Sequence, residues 1–177
     1  MVKCILERRT NTLNKIYIIS DTHFGHYNLI KNNIRPVDFE QRIMNNINSL
    51  NLTEHDLLIH LGDFSWGELE SSFLSLPCRK VLVKGNHDKK SYSYYYNHGF
   101  DFCCETFGLS YMSTKVVFSH KPLEDGMYDL NIHGHLHNNT WHDAINDNKH
   151  YLISLELNGY RAESLNKIVD KHNSSMV

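Results

Sequence analysis

Five times in this chain a short apolar run ends in Asp, Asn or His, and that repetition limits the folds open to it. The run at 16–20 leads into Asp21-Thr22-His23, and the run at 57–61 into Gly62-Asp63. Val81-Leu82-Val83 leads through Lys84 into Gly85-Asn86-His87-Asp88. The run at 116–119 leads into His120, and the run at 130–133 into Gly134-His135-Leu136-His137. Short continuous apolar runs bounded by turn residues are the pattern of strands buried on both faces. In α/β folds, sites form where such strands end at their carboxyl edge. The polar residues after the five runs are therefore expected along one rim.

Between the runs, helical spacing alternates with strand signals. Phe39, Ile43, Ile47 and Leu50 predict an amphipathic helix over 38–50, with Asp38 and Gln41 as a capping box after Pro36. Ser65 with Glu68 predicts a second box, opening a helix through Leu76 that Pro77 stops. A short helix is expected near 28–32, a tyrosine-rich one over 89–98 closed by Gly99, and a last one over 162–172. Strands are expected at 100–107, 109–112 (turning through Ser113-Thr114 into 116–119) and 151–157, where Asn158-Gly159 turns the chain. Segments 123–129 and 138–149 read as loops. Strands alternate with helices early and pair antiparallel late, so the expectation is a layered α/β domain with mixed sheets. One domain over 1–177 is expected, with 1–14 a peripheral addition in which 2–6 form an edge strand.

Bulk properties remove several function classes. A formal charge of −2 and a pI near 6.7 give no general attraction to nucleic acid or membranes. No apolar run is long enough to span a bilayer, and no leader pattern stands at the N-terminus. Cys4, Cys78, Cys103 and Cys104 form no CxxC pair, which favours free thiols in a reducing, cytoplasmic setting. Histidine is the one excess, with thirteen residues.

Asp21, His23, Asp63, Asn86, His120, His135 and His137 are the candidate ligands. Seven are too many for one tetrahedral zinc. They suit two divalent ions sharing a carboxylate, and ligation by nitrogen and oxygen without thiolate suits manganese, iron, zinc or nickel rather than calcium. Two such ions against two carboxylates leave a positive surplus that favours an anion, and paired ions suit in-line displacement at phosphorus. His133 and His60 sit within strands and are expected to pack. His55, His98, His142, His150 and His172 lie in polar stretches and are expected to be solvated. His26, Asn28 and Arg35 follow the first motif and could meet a substrate phosphate. Lys84, Lys121 and Arg161 read as surface charges, and the tyrosines at 92–96 as helix packing rather than a base-stacking stripe.

In their order, Asp21-x-His23, Gly62-Asp63, Gly85-Asn86-His87-Asp88, His120 and Gly134-His135-x-His137 resemble the five motifs of the calcineurin-like metallophosphoesterase superfamily. Asp21-Thr22-His23-Phe24-Gly25-His26 and Leu61-Gly62-Asp63-Phe64 resemble its small, cap-less bacterial and phage members. The resemblance implies a four-layer α/β/β/α sandwich of two mixed sheets with a dinuclear site at the sheet edges. It implies that Asp21, His23, Asp63 and His137 hold one ion and that Asp63, Asn86, His120 and His135 hold the other. Asp63 would bridge, and His87 would protonate the leaving group. The chain departs from the GDxxDRG motif of the protein-phosphatase branch, having Gly62-Asp63-Phe64-Ser65-Trp66-Gly67, which argues against phosphoprotein substrates. The expected activity is hydrolysis of a small nucleotide-like phosphodiester by a metal-bridging hydroxide, with Asn86 and both ions, preferably manganese, holding the phosphoryl oxygens. A nuclease is the second reading, although no basic groove for a polymer is evident. A non-catalytic scaffold is the third, and the intact ligand set and His87 speak against it.

Overall fold

Those apolar runs do form strands in the computed structural model, which describes residues 15–124, 126–138 and 148–175. The proposed edge strand at 2–6 and His142 lie outside the described residues. The first sheet has the order β4-β3-β2-β1-β9. Its strands are β1 (Ile16–Ile19), β2 (Leu57–His60), β3 (Arg79–Val83), β4 (Phe102–Cys104) and β9 (Glu163–Ser164). β1 to β4 run parallel, and β9 joins β1 antiparallel. The second sheet has the order β5-β6-β7-β8, from β5 (Thr106–Tyr111), β6 (Thr114–Ser119), β7 (Leu130–His133) and β8 (His150–Leu152). β5 and β6 form a hairpin, while β6, β7 and β8 are parallel. Both sheets are thus mixed, as expected.

Alternation within the strands assigns two cores. Ile16, Ile18, Leu57, Ile59, Val81 and Val83 meet Val116, Phe118, Leu130 and Ile132 between the sheets. The opposite face of the first sheet, with Ile19, Leu58 and Leu82, packs on helices α2 (Phe39–Asn48), α3 (Ser71–Leu74) and α4 (Tyr92–Asn97) through Phe39, Ile43, Ile47, Phe73 and Tyr95. The last helix, α6 (Leu165–Ser175), adds Leu165, Ile168 and Val169 to the inter-sheet core. Asn173 of α6 accepts a hydrogen bond from Thr114 at the start of β6, so this helix closes the core away from the carboxyl edges. Register then sets the rim: Ile19 pairs with His60, His60 with Leu82, and Ser119 with His133. The parallel strands end together, and the motif residues follow them.

Local chemistry moved several boundaries. α1 (Asn28–Lys31) is the expected short helix. Asp38 caps α2 without a side-chain hydrogen bond, because its carboxylate is held by Arg42. The helix expected from Ser65 is only the one-turn α3, capped by Glu70, since Ser65 is drawn into a parallel bridge with Phe24. The strand expected at 100–107 divides at Glu105, where the chain passes from one sheet to the other. The strand expected at 151–157 ends at Leu152, and α5 (Leu155–Asn158) follows, closed by Gly159 at φ 74°. His172, on the inner face of α6, is buried rather than solvated. His150 is half-buried, with its Nε2 2.8 Å from the Leu123 carbonyl. Among the described residues no helix is long and apolar enough to cross a membrane.

Candidate metal centre

All seven candidate ligands come together at the shared rim. Asp21, His23 and His137 form one group and Asp63, His120 and His135 another, each with ligand atoms within 4.8 Å of one another. Asp63 Oδ2 lies between the groups, 3.7 Å from His23 Nε2 and 3.6 Å from His120 Nε2. Its other oxygen, Oδ1, accepts from the His87 backbone N–H at 2.8 Å. One carboxylate oxygen therefore anchors the 85–88 turn while the other faces both groups. Asn86 Oδ1 joins the second group, 3.0 Å from His120 Nε2.

The backbone is strained where these side chains converge. Asp21, His23, Asp63, His135 and His137 have φ between 48° and 70°, a left-handed conformation uncommon for residues with a Cβ. Such conformations persist only where surroundings over-determine them, and they concentrate at functional sites. The surroundings here are explicit. Asp88 is buried and accepts from Asp63 N at 2.7 Å, Phe64 N at 3.1 Å and Gly85 N at 2.8 Å, tying the loops after β2 and β3 together. At Gly85 a Cβ would collide with the Asp63 side chain. Arg35 donates to the carbonyls of Asp21 and Thr22 at 2.8 and 2.9 Å, holding the loop after β1.

Hydrogen bonds on the far side of two of the rings, His120 and His137, fix which nitrogen faces the centre. His120 Nδ1 lies 2.8 Å from the Leu61 carbonyl, which can only accept. A neutral His120 protonated there directs a lone pair from Nε2 at the Asn86 carbonyl oxygen and at His135 Nδ1, 3.0 Å away. His137 Nδ1 faces Glu156 Oε1 at 3.1 Å, leaving Nε2 directed at Asp21 Oδ1, 3.6 Å away. His120 Nε2 facing Asn86 Oδ1 sets acceptor against acceptor, which costs energy in the absence of a cation. Among the described residues, Asp21 Oδ1 and His23 Nδ1 are buried without a hydrogen-bond partner. Bonds of about 2.0–2.2 Å at roughly 90–110° place neighbouring ligands about 3.0–3.6 Å apart. The separations around Asp63 and Asp21 are close to that range and too long for hydrogen bonds. This donor set fits two divalent ions.

Electrostatics keep His23 and His135 in ligand form, whereas burial would lower His137 but Glu156 and Asp21 outweigh it and raise it. Burial, reinforced by the neighbouring Arg35 charge, pushes His23 down to about 2, and burial with the His120 charge pushes His135 to about 4. Both are neutral near pH 7, as metal ligation requires. Burial alone raises the Asp21 carboxyl, and His137 and His120 pull it back only in part. Glu156 is driven the other way: burial would raise it, but His137 and Arg35 outweigh that and hold it near 2.

The remaining site expectations divide. His87 is at the rim with its side chain 39% exposed and Nε2 3.9 Å from Asp63 Oδ2. His26 is there too, stacked on Trp66. Arg35 is not available to a substrate. Its side chain is fully buried and paired with Glu156 at 2.7 Å, so its charge supports the site from behind. Asn28 opens α1 and is exposed. His60 packs as expected, with Nδ1 accepting from Gly62 N and Nε2 donating to Thr22 Oγ1. Sequence reasoning missed Glu156, Asp88 as a clamp, and Trp66. Asp88 adjoins the third motif and Trp66 the second, so their positions were a signal. Glu156 carried none.

The family model for calcineurin-like phosphoesterases matches residues 14–175. An uncharacterised protein of Methanocaldococcus jannaschii is 29% identical over 175 residues, covering 89% of this chain and 91% of its own. The crystal structure of a protein of unknown function from Aquifex aeolicus superposes with a TM-score of 0.75 at 30% identity, over 88% of this chain and 98% of that one. An archaeal phosphodiesterase gives 0.45 at 22% identity, over 68% of this chain and 72% of that one. The Pseudomonas putida nuclease MPE gives 0.46 at 20%, over 69% and 61%.

Proposed function

The chain belongs to the calcineurin-like phosphoesterase family of metal-dependent phosphoric ester hydrolases, and from that premise we propose that it is a phosphodiesterase acting on small nucleotide-like diesters. The observation that carries this reading is the placement of Asp63 Oδ2 between two histidine-rich groups. In it, Asp21, His23, Asp63 and His137 hold one ion, and Asp63, Asn86, His120 and His135 hold the other. Two bound divalent ions, manganese in preference to iron, zinc or nickel, would supply Lewis acidity and lower the pKa of water toward 7.

The rest is the work of side chains. Asn86 orients the phosphoryl group. His87, exposed and anchored by its own N–H on Asp63, donates a proton to the departing oxygen. Glu156 fixes the His137 tautomer, as carboxylates behind ligating histidines do. Two grooves flank the 85–87 turn, which supports a diester with two organic arms. One of about 300 Å³ is lined by Lys84, Asn86, His120 and Lys121. The other, about 390 Å³, is lined by Trp66, Leu69, His87 and Lys89. A monoester has one arm to place.

Lysines in both grooves favour a nuclease as the second reading. A hydrolysis panel of cyclic nucleotides, linear dinucleotides, DNA and monoesters with Mn²⁺ present tests the choice. Dinucleotides or cyclic nucleotides should be cut fastest. Faster cleavage of DNA, with binding weakened ~10³-fold or more by a fourfold rise in salt, would favour the nuclease. Cleavage of monoesters alone would contradict both. A cytoplasmic setting, read from a sequence whose cysteines form no CxxC pair, is included in the proposal.

A further inference from the structure

Trp66 is a large apolar side chain placed where packing does not require it. It is 44% exposed and lines the groove that also contains His87, with the two ring centroids 4.8 Å apart. His26 covers the indole in a parallel stack, centroids 4.0 Å apart and planes 7° from parallel. The backbone behind both rings is held firmly. Trp66 N donates to the Phe24 carbonyl at 2.7 Å, Ser65 bridges Phe24, and Gly25 lies so close to the Trp66 carbonyl that a Cβ there would be 2.9 Å from it. The indole is thus presented to the groove without a flexible loop to order.

We propose that Trp66, backed by His26, is the platform on which the nucleobase of the leaving group stacks. This rests on the phosphodiesterase reading, in which His87 protonates the departing oxygen. A group leaving past His87 enters the same groove, where the half-exposed indole beside His87 offers a flat apolar surface. Around it stand Ser65, Lys89 and Lys90, polar and cationic groups that suit a heterocycle and a further phosphate better than a hydrocarbon tail. The groove volume falls within the range of small-ligand sites. A stacked base contributes enough to matter for affinity while tolerating different bases, because each has a π-face.

Two measurements test this independently of each other. In the Mn²⁺-loaded Trp141→Phe protein, Trp66 is the sole tryptophan. Adenosine should quench its fluorescence saturably, and ribose should not. No quenching by adenosine, or equal quenching by ribose, overturns the platform whatever the enzyme cleaves. The kinetic arm compares a dinucleotide with the methyl ester of the same nucleotide, so that a base is present or absent on the leaving side. Trp66→Ala should lower kcat/KM on the dinucleotide roughly tenfold or more beyond any loss on the methyl ester, mainly through KM, and Trp66→Phe should restore most of it. Equal losses on the two esters, with metal content intact, would overturn the proposal. If the unaltered protein cleaves neither ester, the phosphodiesterase reading fails, and the fluorescence titration still decides whether the platform binds a base.

Discussion

Asp63 shows how much one side chain does here. Its Oδ1 holds the turn carrying His87, and its Oδ2 faces both ligand groups. The same turn gives a prediction that separates catalysis from support. If His87 is the acid, His87→Ala should cost on the order of 10²–10⁴ in rate on a nucleoside diester, whose alkoxide needs the proton. The loss should be much smaller on a nitrophenyl diester, whose phenolate leaves unaided, and metal content should be retained. With chemistry rate-limiting on both, equal losses would remove His87 from that role. Glu156 offers a second test through pH. Its folded value near 2 lies below the ordinary 4.5, so its contribution to stability is present above 4.5 and lost as pH falls toward 2. Metal-free protein should therefore lose stability across that interval, and Glu156→Gln should flatten the dependence in acid titrations followed by denaturant unfolding. The same variant should weaken metal binding roughly 10–100-fold, as measured by competition with a chelator. An unchanged acid profile would contradict the pairing.

Among elements, the loops after β2 and β3 behave as one unit because Asp88 joins them. Asp88→Ala would strand three backbone donors, each costing about 1–3 kcal/mol when buried and unpaired. Denaturant midpoints should fall clearly, and an unchanged midpoint would show that water replaces the carboxylate. The strands and rim were legible in the sequence because each apolar run is short and each ends in a ligand-type residue. Helix α2 was legible from its spacing. What was not legible depends on distant partners. Arg35 follows the first motif and looked free for a phosphate, but its partner Glu156 lies 121 residues away. Glu156 itself sat in a stretch whose alternation suits a strand, until the chain turns at Ser154 into a single helical turn. Ser65 had the spacing of a cap, yet the bridge to Phe24 took its backbone first. That bridge is also what presents Trp66.

At the scale of the molecule, two sheets bring five strand ends to one rim, where the proposed ions would join them: Asp21, His23, Asp63 and Asn86 follow strands of the first, His120, His135 and His137 strands of the second. Chelation should therefore abolish hydrolysis, with Mn²⁺ or another first-row ion restoring it and Ca²⁺ failing. Restoration by calcium alone would mean that the nitrogen ligands are not used. Ions that span both sheets should also raise the unfolding midpoint of the loaded protein above that of the metal-free one, by mass action on the folded state. The most direct measurement is metal stoichiometry in wild type and Asp63→Asn after Mn²⁺ loading and dialysis, read beside turnover on the same samples. The shared carboxylate predicts two ions per wild-type chain, fewer in Asp63→Asn, and loss of activity in the variant. Two ions and normal turnover in Asp63→Asn would contradict it.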